Sequence, residues 1–122
     1  MSLPTAILAD DHEIVRRGLA ALLLQEKLCT VVAEAADGLT AVNLVAKHRP
    51  QLLFLDLNLP RLHGLEVLRQ VRETAPAPRV LVVSMHHDEP YVIETLRAGA
   101  SAYILKGSAS TEIASAVREV LA

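Results

Sequence analysis

Four short apolar runs along the chain each end on a chemically capable side chain. Ala6-Ile7-Leu8-Ala9 leads into Asp10-Asp11, and Leu52-Leu53-Phe54-Leu55 leads into Asp56. Val80-Leu81-Val82-Val83 leads into Ser84, and Ala102-Tyr103-Ile104-Leu105 leads into Lys106. Unbroken apolar runs of this length predict strands buried on both faces, the environment of a parallel sheet covered by helices. Thr30–Ala35 is rich in β-forming residues as well, but the polar Glu34 near its end predicts an edge strand.

Helical periodicity fills the intervals. Between Glu13 and Gln25 the apolar positions Ile14, Val15, Gly18, Leu19, Leu22 and Leu23 recur with the spacing of an amphipathic helix, with Asp11 or His12 at the N-cap. Asp37-Gly38 marks a turn, and Leu39–His48 forms a second helix with Ala41, Leu44, Val45 and His48 inward, stopped by Pro50. A loop holding Pro60 and Gly64 precedes a third helix that runs to about Thr74, with Leu65, Leu68 and Val71 inward. Pro76 and Pro78 break the chain. Asp88-Glu89-Pro90 opens a fourth helix, since acidic residues and proline both suit a first turn, and Gly99 ends it. Ser110 is placed to cap a fifth helix with Ile113, Val117, Val120 and Leu121 as its stripe.

Five β-α units in 122 residues, without repeats or low-complexity linkers, predict one α/β domain. Its helices cover both faces of a parallel sheet through right-handed crossovers. The flavodoxin-like strand order 2-1-3-4-5 puts the weakest strand at an edge and sets the ends of strands 1 and 3 side by side. Asp10, Asp11 and Asp56 then become neighbours, with Ser84 and Lys106 arriving from the next two strands.

Composition narrows the function classes. The core must be aliphatic, since 52% of residues are hydrophobic but there are one Phe, two Tyr and no Trp. Twelve basic against fourteen acidic residues leave a formal charge of −2, so no basic surplus points to nucleic-acid contact by this domain. Cys29 is the only cysteine; it forms no internal disulfide, fits a reducing cytoplasm and reads as a small half-buried hydrophobe at the start of a strand. Charges interrupt every apolar run before the roughly 18–20 residues of a membrane span, and no secretory leader is recognisable at the N-terminus.

The chemistry follows from the juxtaposition. Three clustered carboxylates repel one another unless a cation sits among them, and Mg²⁺, a hard oxygen-liganded ion, suits the set. Asp56 is then placed to act as a nucleophile and form an aspartyl phosphate. The Lys106 ammonium and the Ser84 hydroxyl would compensate charge on the transferring group. One Asp after a strand is commonly a turn former or cap. Five such residues at the same end of four parallel strands are hard to explain as caps.

These residues carry a family resemblance over nearly the whole chain, in order and spacing. Asp10-Asp11 as an acidic pair, Asp56-Leu57-Asn58-Leu59-Pro60-Arg61-Leu62-His63-Gly64, Ser84, Tyr103 and Lys106 resemble the receiver domain of bacterial two-component response regulators, with a CheY-like three-layer fold. The wording from Asp10 to Leu19, with Val83-Ser84-Met85-His86, resembles the NarL/FixJ (LuxR-type) subfamily. The resemblance implies a single receiver domain over residues 1–122 that takes a phosphoryl group on Asp56 from a phosphohistidine of a sensor histidine kinase. It implies Mg²⁺ held by Asp10, Asp11, Asp56 and the backbone carbonyl of Asn58, with the Asn58 side chain bordering the attacking water. Phosphorylation draws Ser84 toward the phosphoryl oxygens, and Tyr103 turns inward, changing the face made by the fourth helix, fifth strand and fifth helix. If a homodimer forms on phosphorylation, the fourth and fifth helices are its expected surface. The domain is expected to be a cytoplasmic signalling phosphoacceptor that assists only its own phosphorylation and dephosphorylation. It would control transcription through a C-terminal helix-turn-helix DNA-binding domain that this chain does not include.

Three positions depart from the common pattern. Met85 stands where many receivers have a small residue and is expected to narrow access to Asp56. Gly107 follows Lys106 where many carry proline, and Leu59 replaces a common Met with little change in volume. His86-His87-Asp88 lacks the spaced partners of a transition-metal site, so His86 reads as lining the approach. His12 reads as a helix-start residue, and His48 and His63 as helix and loop residues. Among rival functions, an aspartate-nucleophile phosphatase requires an acid where Asn58 stands. A flavodoxin-like cofactor binder would meet the repulsion of Asp10-Asp11, and no P-loop sequence exists. A phosphorylation-independent interaction module would have no use for the intact acidic set.

Overall fold

Alternation along each buried strand divides its side chains between two layers, and the computed structural model, which describes residues 2–122, shows the outcome. The strands are β1 (Thr5–Ala9), β2 (Thr30–Ala35), β3 (Leu52–Leu55), β4 (Arg79–Ser84) and β5 (Ala102–Leu105). They form one parallel sheet in the order β2-β1-β3-β4-β5, with an irregularity between Ala6 and Ile7 where β1 meets β2. The helices are α1 (Glu13–Gln25), α2 (Gly38–His48), α3 (Gly64–Arg72), α4 (Glu89–Arg97) and α5 (Ser110–Leu121). Ile7, Leu53, Leu55, Val80 and Val82 pack against Ala41 and Val45 of α2 and Val67, Leu68 and Val71 of α3. Their strand neighbours Ala6, Leu8, Leu52, Phe54, Leu81 and Val83 face Leu23 of α1 and Ala114 and Val117 of α5.

Strand β2 alternates exposed and partly buried positions, as an edge strand must. Cys29, just before it, is buried rather than half-buried, and burial pushes its thiol up to about 11, which keeps it protonated. The one cis peptide among the described residues is Ala75–Pro76; the Lys106–Gly107 bond is trans, with Gly107 at φ 90°.

Several details differ from the sequence pattern. Ile14 is 85% exposed although it was grouped with the apolar stripe of α1. At about 100° per residue it stands half a turn away from the fully buried Leu23, so Val15, Leu19, Leu22 and Leu23 make the contact. His48 occupies the last position of α2, next to the left-handed Arg49, and is solvated instead of inward. Ala109, not Ser110, is the N-cap of α5, and α3 closes at Arg72. Helix α2 begins one residue early, at Gly38, because the Asp37 carboxylate caps it from Thr40 N–H and Thr40 Oγ1, both 2.8 Å away. Gly99 at φ 115° ends α4 with Ala100 N–H on Thr95 O and Gly99 N–H on Leu96 O, a paired closure that a left-handed glycine permits.

Two glycines position the loop between β3 and α3. A Cβ on Gly64 would lie 2.4 Å from Leu57 Cα and 2.6 Å from Asp56 O, and Gly64 N–H donates to Leu57 O at 2.9 Å. A Cβ on Gly38 would fall 2.0 Å from Leu62 O, while Gly38 N–H donates to Pro60 O at 3.1 Å. The loop after Asp56 is thus pinned by backbone on both sides.

Gly64→Ala is expected to lose roughly 1–3 kcal/mol through overpacking against backbone that cannot yield. Gly18→Ala, with nothing within 4 Å of its added Cβ inside α1, is expected to gain roughly 0.5–1 kcal/mol. Urea denaturation of the two variants reads both signs; equal shifts would refute the packing argument. The Thr40 N–H, followed by the Thr40 hydroxyl, holds the Asp37 carboxyl below its usual value. A lowered folded-state value means that the cap's contribution is present above the unfolded value of 3.8 and is lost as pH falls through the folded one. The stability difference between the wild type and Asp37→Asn should therefore be constant near neutrality and narrow in acid, as followed by denaturation at stepped pH.

Candidate functional site

The residues that matter chemically continue the ladder of the sheet by one step. Asp10 N–H donates to Ala35 O (3.0 Å), Asp56 N–H to Ala9 O (2.9 Å) and Lys106 N–H to Ser84 O (2.8 Å). Each backbone is therefore held by the neighbouring strand while the side chain projects beyond the strand's carboxyl end, where ligands of such sheets bind. Asp10, Asp56 and Ser84 are the buried polar residues here, at 5%, 2% and 0% exposure.

Lys106 joins the two buried carboxylates. Its Nζ lies 2.9 Å from Asp10 Oδ2 and 3.0 Å from Asp56 Oδ2. Burial alone would lower an ammonium's pKa, but the hydrogen bonds and charges of Asp10 and Asp56 outweigh it and hold Lys106 above the usual lysine value. Asp56 Oδ1 accepts from Asn58 N–H at 3.1 Å, so both oxygens of Asp56 are engaged. Asp11 is the more solvated member, and His12 Nδ1 stands 3.4 Å from its Oδ1, 3.0 Å from Asp10 Oδ1 and 3.2 Å from Lys106 Nζ.

Asp10, Asp11, His12 and Asp56 each offer a ligand atom, and those atoms lie within 4.8 Å of one another. Three carboxylates face one ammonium, which leaves two negative charges uncompensated when His12 is neutral. Oxygen donors in this number, with this charge, fit a hard divalent cation; imidazole is the less usual donor for one. Among the described residues this is the cluster with metal-ligand spacing, and His86-His87-Asp88 forms none.

Beyond Ser84 the chain runs through a relay of hydrogen bonds. Ser84 Oγ accepts from His86 N–H (3.0 Å), and His86 O accepts from the Tyr103 hydroxyl (2.8 Å). The resemblance has Tyr103 turning inward on phosphorylation; in this structure its ring is already half-buried against the core beneath α2 and α3. Met85, expected to narrow access, is 66% exposed. The Asn58 side chain, expected to border attacking water, donates its amide to His86 Nε2 at 3.0 Å.

Sequence reasoning missed three contributors. His12 was assigned only to the helix start, yet an N-cap after a strand returns its side chain to the sheet edge, beside the acidic pair. Arg16, one turn on, donates through Nη1 to Asp10 O and through Nε to Glu34 Oε1 at 2.9 Å, tying α1 and β2 to the acidic loop. An arginine four residues after His12 was the available signal. His86 was placed on the approach, but no spacing rule exposes its partnership with Asn58.

Comparison with known proteins agrees with this geometry. The family model of the response regulator receiver domain matches residues 6–118. The chain is 39% identical over 114 residues to the transcriptional regulatory protein DegU of Brevibacillus brevis, covering 93% of this chain and 48% of that protein. It is 40% identical over 115 residues to the oxygen regulatory protein NreC of Staphylococcus epidermidis, covering 93% and 53%. It thus spans about half the length of these curated relatives. Among solved structures, a LuxR-family two-component response regulator from Aurantimonas sp. SI85-9A1 superposes with a TM-score of 0.90 at 36% identity, covering 98% of this chain and 86% of that one. The REC domain of AraT, a response regulator from Geobacillus stearothermophilus, superposes with a TM-score of 0.87 at 31% identity, covering 97% and 92%.

Lys106→Met removes the one ammonium between two buried carboxylates and is expected to destabilise the metal-free protein by about 3 kcal/mol, the cost of orphaning buried charge. A divalent cation held by Asp10 and Asp56 would compete with Lys106 for their oxygens, so the variant is expected to gain more stability from added Mg²⁺ than the wild type does. Thermal unfolding across a Mg²⁺ titration checks both; equal gains would exclude the shared-oxygen arrangement.

Proposed function

This chain belongs to the response regulator receiver domain family, and from that premise we propose that Asp56 is its phosphoacceptor. The observation that carries the reading is the buried Asp56 carboxylate, held on one oxygen by Asn58 N–H and on the other by Lys106 Nζ. Asp10, Asp11 and Asp56 would hold Mg²⁺, with the Asn58 backbone carbonyl as a further ligand; when bound, the ion supplies charge compensation for the phosphoryl oxygens. An Asp56 oxygen attacks the phosphorus of a phosphohistidine on a sensor histidine kinase. The new P–O bond forms as the P–N bond breaks, and the electron pair leaves on the imidazole nitrogen. Lys106 follows the charge from carboxylate to phosphoryl oxygen. The chain's own residues thus position and neutralise, which is nearly all that phosphoryl transfer requires of a protein. An aspartate-nucleophile phosphatase is not favoured, since Asn58 stands where its acid would be and its amide is bonded to His86.

Phosphorylation would engage the Ser84 hydroxyl, whose oxygen already accepts from His86 N–H, and His86 O anchors Tyr103. Movement at Ser84 is thereby passed to β5 and to the start of α4. Helix α4 is the element prepared to respond. Thr95 is its buried residue, while Ile93 and Leu96 stand 39% and 42% exposed. A helix held by so little apolar contact is easily displaced. We further propose that residues 1–122 act as one receiver unit within a longer cytoplasmic regulator, whose DNA-binding part would control transcription. The α4–β5–α5 face would form a homodimer contact on phosphorylation. No described helix is long and apolar enough to cross a membrane.

Incubation with Mg²⁺ and acetyl phosphate, followed by intact-mass measurement, is expected to show a single phosphoryl adduct. It should be labile to hydroxylamine and absent from Asp56→Asn. Continuous hydrolysis of phosphate esters without an adduct would support the phosphatase instead. No adduct from acetyl phosphate or from a phosphorylated kinase would support the interaction module.

A further inference from the structure

We infer that His12 supplies an imidazole donor to the cation site, so that the site favours borderline divalent ions such as Zn²⁺ over Mg²⁺ by more than its carboxylates alone would. The inference rests on the reading in which Asp10, Asp11 and Asp56 hold a divalent cation. It goes beyond that reading in naming a nitrogen donor and the class of ion that this donor selects.

The helix start does not account for this side chain. An N-cap ordinarily spends its side chain on the first free N–H groups of the helix, yet His12, the N-cap of α1, makes no such bond. Its backbone is fixed on the acidic pair instead, with His12 N–H donating to Asp10 Oδ1 at 2.8 Å. The ring follows, and Nδ1 stands 3.0 Å from Asp10 Oδ1, 3.4 Å from Asp11 Oδ1 and 3.2 Å from Lys106 Nζ. The His12 side chain is 61% exposed, so an ion arriving from solvent reaches it.

An ammonium only donates and an ionised carboxylate only accepts, so one ring nitrogen cannot suit both neighbours at once. Carrying a proton, Nδ1 opposes the Lys106 ammonium. Without one, it opposes the oxygens of Asp10 and Asp11. A divalent cation among these atoms resolves the conflict, because it draws the bare Nδ1 lone pair and the carboxylates together. The imidazole then decides which ion gains. Carboxylate oxygens serve Mg²⁺, Ca²⁺ and Mn²⁺, whereas imidazole nitrogen suits Zn²⁺, Ni²⁺ and Cu²⁺. Asp10, Asp11, Asp56 and His12 bring three carboxylates and one nitrogen within 4.8 Å of one another, and His86 and His87 lie outside that cluster. The nitrogen widens the margin for Zn²⁺, since Mg²⁺ takes little from it.

The test measures affinity for Zn²⁺ alone and for Mg²⁺ alone by titration calorimetry. It compares the wild type, His12→Ala, His12→Gln and the double variant His86→Ala/His87→Ala. A second readout follows the imidazole ¹⁵N resonances of the Zn²⁺-loaded protein, in which a metal-bound ring nitrogen shifts away from its free position. Losing a hydrogen-bonding partner of a metal ligand already costs roughly 10–100-fold in affinity, so loss of the donor itself in His12→Ala should cost about a hundredfold for Zn²⁺ and little for Mg²⁺. His12→Gln, which presents an amide oxygen in place of the nitrogen, should lose the Zn²⁺ margin and keep Mg²⁺ affinity. The double variant should retain both the margin and the shifted resonance, and His12→Ala should lack both. Equal losses for the two ions in the His12 variants would make the residue a mere support of the acidic loop and overturn the inference, with the cation site left standing. Unchanged Zn²⁺ affinity in those variants, or a shifted resonance that follows His86 or His87, would overturn it as well. A wild type that binds neither ion would overturn the cation site itself and the inference with it. If His12→Ala does not fold, the ¹⁵N resonances of the wild type and His12→Gln decide the same question.

Discussion

The contact on which the rest depends is the Lys106 ammonium set between Asp10 and Asp56, 2.9 and 3.0 Å from their nearer oxygens. Two carboxylates at 5% and 2% exposure would not share one sheet edge without it. The cation comes from β5, the acids from β1 and β3, and β4 lies between with Ser84. A single charge constraint thus spans four strands and makes their common end a unit. It also leaves the cluster short of positive charge, and that shortage is the setting that suits a divalent cation.

Around this centre the structure separates rigid from yielding parts. The acceptor loop is rigid because Gly64 and Gly38 admit backbone approaches that no side chain tolerates, and because Asp37 pairs with Arg61 of that loop. The far side is different. The path from Ser84 through His86 to Tyr103 is a chain of single hydrogen bonds, and α4 is held there by a threonine and two partly buried aromatic rings. A local change in charge at a stiff centre, coupled to a weakly held helix, is what a two-state signalling element requires.

Much of this was legible along the chain, for a definite reason. Strands buried on both faces are written as unbroken apolar runs, and the residue after each run falls at the carboxyl edge whatever the details of packing. Asp10, Asp56, Ser84 and Lys106 could be assembled on that basis, and the polar Glu34 near the end of Thr30–Ala35 placed β2 at the edge. Helix surfaces were less legible. Ile14 was grouped with the stripe of α1 yet faces half a turn away from Leu23, and His48 is solvated because the burial of a helical position depends on where the sheet beneath it ends. The cap of α5 shifted from Ser110 to Ala109 for a similar reason: a cap is defined by backbone direction, which neighbouring elements impose.

The amino-acid sequence by itself determined the order of elements, the layer assignment of most core residues and the identity of the side chains gathered at the carboxyl edge of the sheet. Each of these follows from local periodicity and from chain direction. Only the tertiary structure decided which groups touch. It set Lys106 on both Asp10 and Asp56, brought His12 into the acidic cluster, turned Arg16 onto Asp10 O and closed Asn58 on His86 across 28 residues. Such contacts lie between loops of different strands, where distance along the chain carries no information about distance in space, and side-chain direction is settled by the twist and stacking of the completed sheet.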